Sequence, residues 1–121
     1  MSLLSAFNKI FLDFLDDCIS IFPLDNDFKV YKRGLQMMIK YNPRKILTIF
    51  KEYLEIYREK IVSKDEEFFL ENNYVEVKKY DQEEIFNVID KLKNYWKNID
   101  SNNKDKIWEW LHTLIKVSDK L

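Results

Sequence analysis

The sequence contains very little glycine, proline, cysteine or histidine. Its 121 residues include one glycine, one cysteine, one histidine and two prolines. Strand-rich proteins of this length need many turn glycines, so the shortage predicts long helices joined by few turns. It also excludes a glycine-rich phosphate-binding loop, because such a loop needs several glycines at fixed spacing.

The single cysteine and the single histidine exclude many familiar reactive sites. Cys18 alone cannot form an internal disulfide or a cysteine-rich zinc site, and a lone thiol fits a reducing compartment. His112 alone cannot provide a multi-histidine metal site. Cys18 also falls on the apolar side of a predicted helix, where thiols usually serve as inert packing. We therefore predict a protein that is not an enzyme, with no catalytic, cofactor or metal residues and no small-molecule substrate indicated.

Long uncharged apolar runs are missing as well. The opening "MSLLSAFNKIFLDFLDDCISIF" is apolar, but it lacks a basic start and carries aspartates, so it does not resemble a secretory signal. No window approaches the roughly 20 uncharged apolar residues that cross a bilayer. The sequence thus predicts an intracellular protein without a membrane partner.

Apolar and aromatic residues are abundant, at 46% and 16% of the chain. That content excludes a disordered chain, and the length suits one domain with its own core. Apolar residues recur at the 3.6-residue helical period along most of the sequence. We therefore predict an all-α fold, in which residues 1–121 form a single-domain irregular bundle of five to six helices.

Capping patterns divide the first half of the chain. A first helix is predicted over about 3–21, and Asp25 is a suitable N-cap for a second helix that ends near residue 41. Asn42 and Pro43 suit the N-cap and the first position of a third helix that ends near residue 62.

Further patterns divide the second half. Ser63 with Glu66 matches a capping box for a short helix to about residue 71, and 72–80 is predicted to be an extended linker. Asp81 with Glu84 repeats the capping-box pattern before a helix to about residue 98. The last helix is predicted over about 103–120, after a turn at "DSNN".

The acidic stretch "SKDEEFFLENNY", residues 63–74, has two interpretations. Clustered carboxylates can bind Ca²⁺ or Mg²⁺, but the calcium-loop pattern of alternating acids around a glycine is missing. Acids in the first turn of a helix are favoured by its dipole and need no ligand. We favour the helix start, and expect at least one of Phe68 and Phe69 to be buried; an exposed one would form a docking motif beside the acids.

Charge is distributed in blocks. Residues 1–28 carry a net charge of −4, residues 29–60 carry +6, and residues 65–84 carry −6. Lys29, Arg33 and Lys40 form one stripe of the second predicted helix, and Arg44 and Lys45 follow across the turn. These five residues could contact nucleic-acid phosphates. A solvated face, or one that meets the acidic first helix, is the favoured interpretation.

Aromatic residues supply the other candidate surface. Trp108 and Trp110 lie on opposite flanks of a wide apolar stripe on the last predicted helix. Most aromatic residues are expected in the core, but a stripe this wide predicts that one tryptophan stays exposed for a partner. Together with Phe68 and Phe69, the two tryptophans are the candidate protein-binding residues.

Two segments carry a family resemblance: "NPRKILTIFKEYLEIYREKIVSKDEEFFLENNY" and "IFNVIDKLKNYWKNIDSNNKDKIWEWLHTLIKVSDK". With the acidic helical start, they resemble a family of small helical proteins of nucleocytoplasmic large (giant) DNA viruses. The shared features are an Asn-Pro-Arg-Lys boundary, a Lys-Asp-Glu-x-Phe-Phe segment and a tryptophan-bearing last helix. The resemblance implies a virus-encoded protein of the host cytoplasm or the virion. The family has no assigned activity, so it transfers no catalytic residues.

Two functions remain open on the sequence. The leading hypothesis is a non-enzymatic interaction or assembly protein that docks a viral protein, a host protein or a second copy through apolar-aromatic and charged surfaces. The alternative is a nucleic-acid-binding protein that uses the basic face of residues 29–45 for phosphate contacts.

Overall fold

The computed structural model describes residues 2–70 and 83–121, with side chains in the second range from residue 87 onward. These residues form helices, and the prediction of an all-α bundle is confirmed. The described elements are α1 (Leu3–Ile21), α2 (Asp27–Tyr41), α3 (Lys45–Val62), α4 (Glu67–Leu70), α5 (Glu83–Tyr95), a 3-10 turn (Trp96–Asn98) and α6 (Ser101–Ser118).

The long helices pack around one cluster of buried apolar side chains. Helix α1 lies against α2, α3 and α6, and α2 also packs against α5. The short α4 contacts α3 and α5. Cys18 faces this core, as its place on the apolar side of α1 predicts, and burial raises the pKa of its thiol far above the ordinary value. A thiol held in its protonated form is a poor nucleophile.

The first two helix boundaries lie close to their predicted positions. Helix α1 has the predicted bounds and is capped by Ser2, whose hydroxyl accepts the backbone N–H of Ser5. Asp25 is not the N-cap of α2, because Asn26 occupies that position. The Asp25 carboxylate instead accepts the backbone N–H of Asp27 at 2.9 Å, which orders the turn before the helix.

The predicted cap of the third helix is wrong by two residues. Asn42 closes α2, donating its backbone N–H to the Met38 carbonyl at 2.8 Å, and α3 begins only after Arg44. Pro43 therefore lies in the turn. Its carbonyl accepts a 2.9 Å hydrogen bond from the buried Asn8 amide of α1, and this contact fixes where the turn lies on the bundle.

The capping box predicted for Ser63 and Glu66 is also wrong. Ser63 ends α3, and its N–H donates to the Glu59 carbonyl at 3.0 Å. Lys64 then adopts a left-handed conformation, with φ of 56°, which is uncommon for a residue with a side chain. Asp65 supplies the cap of the short helix, since its carboxylate accepts the N–H of Glu67 at 3.0 Å.

The second half of the chain follows the predicted order. Helix α6 begins at Ser101, two residues earlier than predicted, because the Asp100 carboxylate accepts the Asn103 N–H at 2.8 Å and caps it. The linker predicted over 72–80, and the capping box of Asp81 with Glu84, fall outside the described side chains.

Candidate interaction surface

The two phenylalanines of the acidic stretch are both buried. Phe69 stacks on Trp96, with ring centroids 4.0 Å apart, and meets Trp108 edge-on at 5.1 Å. Phe68 packs edge-on against Phe69 and Tyr57. The expected burial of at least one phenylalanine is confirmed. The docking motif proposed for an exposed phenylalanine is not formed, because both rings are buried in an aromatic cluster with side chains of α3, the 3-10 turn and α6.

Neither tryptophan of α6 forms an exposed platform. Trp108 is buried in the same aromatic cluster. Trp110 is partly buried beside Phe14, and its indole N–H donates to the Asp17 carboxylate at 2.8 Å. The prediction of an exposed tryptophan for partner binding is therefore corrected. The polar partner of Trp110 comes from α1, which a helical wheel of α6 cannot show.

The acids of residues 65–67 serve the fold in this structure. Glu66 accepts hydrogen bonds from the Trp96 indole at 3.2 Å and from the Lys104 ammonium group at 3.0 Å. Lys104 also lies 5.1 Å from the centre of the Trp96 ring, within cation–π range. Over residues 2–70 and 83–121, no group of three His, Cys, Asp or Glu side chains is placed to hold a metal ion.

His112 is partly buried on α6. Its Nε2 lies 2.8 Å from the Ile61 carbonyl oxygen, near the end of α3. Because a carbonyl only accepts, the ring nitrogen is the donor in this bond. The ring therefore ties α6 to α3, a tertiary contact that no local sequence pattern indicates.

A polar cluster joins the turn before α2 to α5. Asp25 accepts hydrogen bonds from the Tyr95 hydroxyl at 2.6 Å and from the Lys91 ammonium group at 2.9 Å, and Lys91 also reaches Asp27 at 2.8 Å. These bonds, that of Tyr95 first, lower the pKa of Asp25, and Asp27 and Asp25 raise the pKa of Lys91. Every charge in the cluster has an opposite partner, which indicates a structural tie.

The predicted basic residues lie on the outer side of the bundle. Lys29, Arg33, Lys40 and Arg44 are exposed, whereas Lys45 is partly buried. Within residues 2–70 and 83–121, none of these five forms an ion pair.

The acidic first helix is met by a different lysine. Lys32 of α2 pairs with Asp16 of α1 at 2.6 Å. The interpretation in which the stripe of Lys29, Arg33 and Lys40 faces α1 is therefore wrong. The stripe of Lys29, Arg33 and Lys40, named here the basic row, is exposed, which agrees with the favoured alternative of a solvated face. Lys32 lies beside this row and makes the contact with α1.

An apolar row that the sequence reasoning missed runs beside the basic row. Val30, Met37 and Tyr41 of α2 are 53%, 56% and 83% exposed. With Gly34 they have spacings of four, three and four residues, which keeps them on one line of the helix. We name this line the outer apolar row. The signal was present in the sequence, because α2 carries this second apolar spacing beside its core-facing stripe.

The only glycine of the chain lies within this row. Gly34 is an interior residue of α2 and does not have a positive φ, so its backbone conformation does not require glycine. In a helix interior, glycine is less favourable than alanine by about 1 kcal/mol. What glycine provides here is a gap in the side chains of the outer face between Val30 and Met37.

This position gives a prediction on stability. We expect Gly34→Ala to raise the free energy of unfolding by about 1 kcal/mol, because alanine loses less conformational entropy in a helix. Urea denaturation followed by circular dichroism measures the change. A loss of stability would show that a neighbouring part of the bundle packs directly on the Gly34 backbone.

No protein-family model, no curated protein and no solved structure matches the chain. In the part of the chain that the structure describes, no helix combines the length and the apolar character that crossing a membrane requires. What the α2 surface can bind therefore follows from the side chains that it carries.

Proposed function

We propose that the protein is a non-enzymatic interaction or assembly protein that docks a protein partner through the outer face of α2. The observation that carries this proposal is the outer apolar row, in which three large apolar side chains are about half exposed or more on one helix face. Single exposed apolar residues are ordinary, but several aligned on one helix face beside charged residues are typical of an interaction site.

The composition of the face also supports a protein partner. Methionine and tyrosine suit docking surfaces, because methionine adapts its shape and tyrosine combines a large apolar ring with a hydroxyl. In the described residues, other exposed apolar side chains are spread over separate elements: Leu3 on α1, Leu24 in the turn before α2, Ile56 and Val62 on α3, and Leu70 on α4. Among residues 2–70 and 87–121, only those on α2 align with a row of cations that forms no ion pair there.

Nucleic-acid binding is the second candidate. Lys29, Arg33, Lys40 and Arg44 are exposed without ion pairs among the described residues, so their charges are free to meet phosphate. This candidate gives no role to Val30 and Met37, which lie on the same face. A protein partner uses both the apolar and the charged row, and it is therefore our first choice.

The family resemblance extends the proposal to the setting of the protein. We infer a virus-encoded protein whose partner is another viral protein or a host protein, met in the infected cytoplasm or in the virion. The resemblance lies in the Asn-Pro-Arg-Lys boundary, the paired phenylalanines and the tryptophan-bearing last helix.

The proposal is tested with one variant of the row and one matched control. Tagged native protein, Met37→Glu and Ile56→Glu are used to recover partners from nuclease-treated extracts of infected cells. Met37 and Ile56 are similarly exposed, at 56% and 47%, so neither substitution disturbs the core. We expect a partner with the native protein and with Ile56→Glu, and its loss with Met37→Glu, because a carboxylate interrupts the apolar contact.

Mass spectrometry identifies the partner, and the purified pair is then measured by calorimetry. Partners retained by Met37→Glu would contradict docking at α2. A partner recovered from parallel untreated extracts but not from the nuclease-treated ones, together with DNA or RNA binding lost on reversing the charges of Lys29 and Arg33, would establish the second candidate instead.

A further inference from the structure

We infer that the partner presents an acidic amphipathic helix, which lies along α2 with its apolar side chains on the outer apolar row and its carboxylates against the basic row. This inference rests on the proposed function and adds the chemistry and shape of the partner. It follows from two observations. The outer apolar row and the basic row lie side by side on α2, and the cations of the basic row form no ion pair with the described residues.

The shape of the outer apolar row fits a helix. From Val30 to Tyr41 the row extends about 16 Å along α2, at 1.5 Å per residue, and it is only one side chain wide. Spacings of four, three and four residues are those with which the side chains of one helix fit between those of another. Gly34 provides a gap between Val30 and Met37 into which an apolar side chain of a second helix can fit.

The charge of the face specifies the partner further. Lys29, Arg33 and Lys40 lie along the same flank of the outer apolar row, and Arg44 follows in the turn beyond α2. In helix pairs, charged residues that flank the apolar contact choose the partner by complementary sign. A flank of cations that form no ion pair with the described residues therefore selects a helix with Asp or Glu along the facing flank.

Other occupants fit the two rows less well. A second copy docked antiparallel about a twofold axis would bring the two basic rows beside each other, and like charges at close range repel. Helices that lie in a membrane surface bury a broad apolar face, whereas this row is one side chain wide. Nucleic acid would use the basic row and leave Val30 and Met37 without contacts.

Tyr41 is expected to anchor the docked helix. It is 83% exposed at the end of α2, next to Lys40 and two residues before Pro43. Tyrosine gives a large contact area with few rotatable bonds, and it is enriched among residues that dominate interface affinity. The outer apolar row thus ends in the large ring of Tyr41, and in its middle lies the smaller, flexible side chain of Met37.

The inference is tested with a displayed library of 18-residue helical peptides. The library randomises one apolar row and both flanking rows, and it is selected on the folded full-length protein and counter-selected on Met37→Glu. We expect enriched peptides to carry large apolar residues on the row and Asp or Glu on one flank. Their affinity is expected to fall at least tenfold for Tyr41→Ala and for Lys29→Glu with Arg33→Glu, and to remain unchanged for Ile56→Glu.

Several results would overturn the inference. These are no enrichment, enrichment without acids, or peptides that bind Met37→Glu as well as the native protein. Binding of phosphatidylserine vesicles or of a 30-base-pair DNA in place of peptides would overturn it too, as would a dimer in sedimentation that Met37→Glu dissociates. If a purified partner depends on Met37 but the library yields no acidic helix, the proposed function holds and this inference fails. If acidic helices bind α2 but no cellular partner depends on Met37, the proposed function is the one that fails.

Discussion

We expect Phe69→Ala to lower the free energy of unfolding by about 3 to 5 kcal/mol, the range for truncating a buried aromatic residue. Phe69 is 1% exposed and stacks on Trp96 while meeting Trp108 and Phe68 edge-on. Removing the ring leaves a cavity among rigid aromatic neighbours that cannot collapse readily, and it removes their favourable ring contacts.

The neighbouring residue provides the matched control. Leu70 lies in the same short helix but is 48% exposed, so Leu70→Ala is expected to change stability by no more than about 0.5 kcal/mol. Urea denaturation monitored by tryptophan fluorescence compares both variants with the native protein. Equal effects of the two variants would contradict the packing of α4 against the core through Phe69.

The second large effect is expected at the polar cluster of the turn before α2. Asp25→Ala is expected to cost about 2 to 3 kcal/mol at neutral pH, because it removes the acceptor of three hydrogen bonds, from Tyr95, Lys91 and the backbone N–H of Asp27. The Asp25 side chain is only 11% exposed, so water replaces these bonds poorly. Lys91 retains Asp27, which limits the loss.

The contribution of Asp25 depends on pH in a defined direction. Its pKa in the folded protein lies below the ordinary 3.8, chiefly because the Tyr95 hydroxyl donates to the ionised carboxylate. A lowered pKa means that the stabilisation is present above pH 3.8 and is lost as the pH falls through the folded-state value. The difference between native protein and Asp25→Ala is therefore expected to shrink below about pH 4.

Denaturation at pH 7 and at pH 3 measures this dependence. Asp16→Ala is the control, because Asp16 pairs with Lys32 at the surface and is 52% exposed. Such an exposed pair is worth about 0 to 1 kcal/mol. A difference for Asp25→Ala that stays constant from pH 7 to pH 3 would show that the carboxylate charge does not stabilise the fold.

The interaction surface was only partly predictable from the sequence. The basic row was found, because Lys29, Arg33 and Lys40 recur at helical spacing, and their exposure agrees with that pattern. The outer apolar row was missed because α2 carries two apolar stripes, and helical periodicity alone does not say which one the bundle covers. Aromatic content suggested a surface on α6, where packing against α4 and α1 instead covers Trp108 and partly covers Trp110.

Local physics determined most of the architecture. The shortage of glycine and the 3.6-residue period specify helices, and boundaries such as that of α1 follow from a local cap at Ser2. The predicted caps were wrong where a residue of the turn instead bonds to a side chain far away in the sequence. Pro43 is positioned by the Asn8 amide, and Glu66 is drawn away from a capping role by Trp96 and Lys104.

The sequence by itself thus determined the all-α class, the order of the helices and the apolar sides of α1 and α6. The tertiary structure alone decided which aromatic residues remain outside, and that the exposed apolar row lies on α2. The physical reason is that helix formation depends on neighbours within one or two turns, whereas exposure depends on which other helices pack against each face. Contacts between residues far apart in the sequence, such as the hydrogen bond from Trp110 to Asp17, determine that packing.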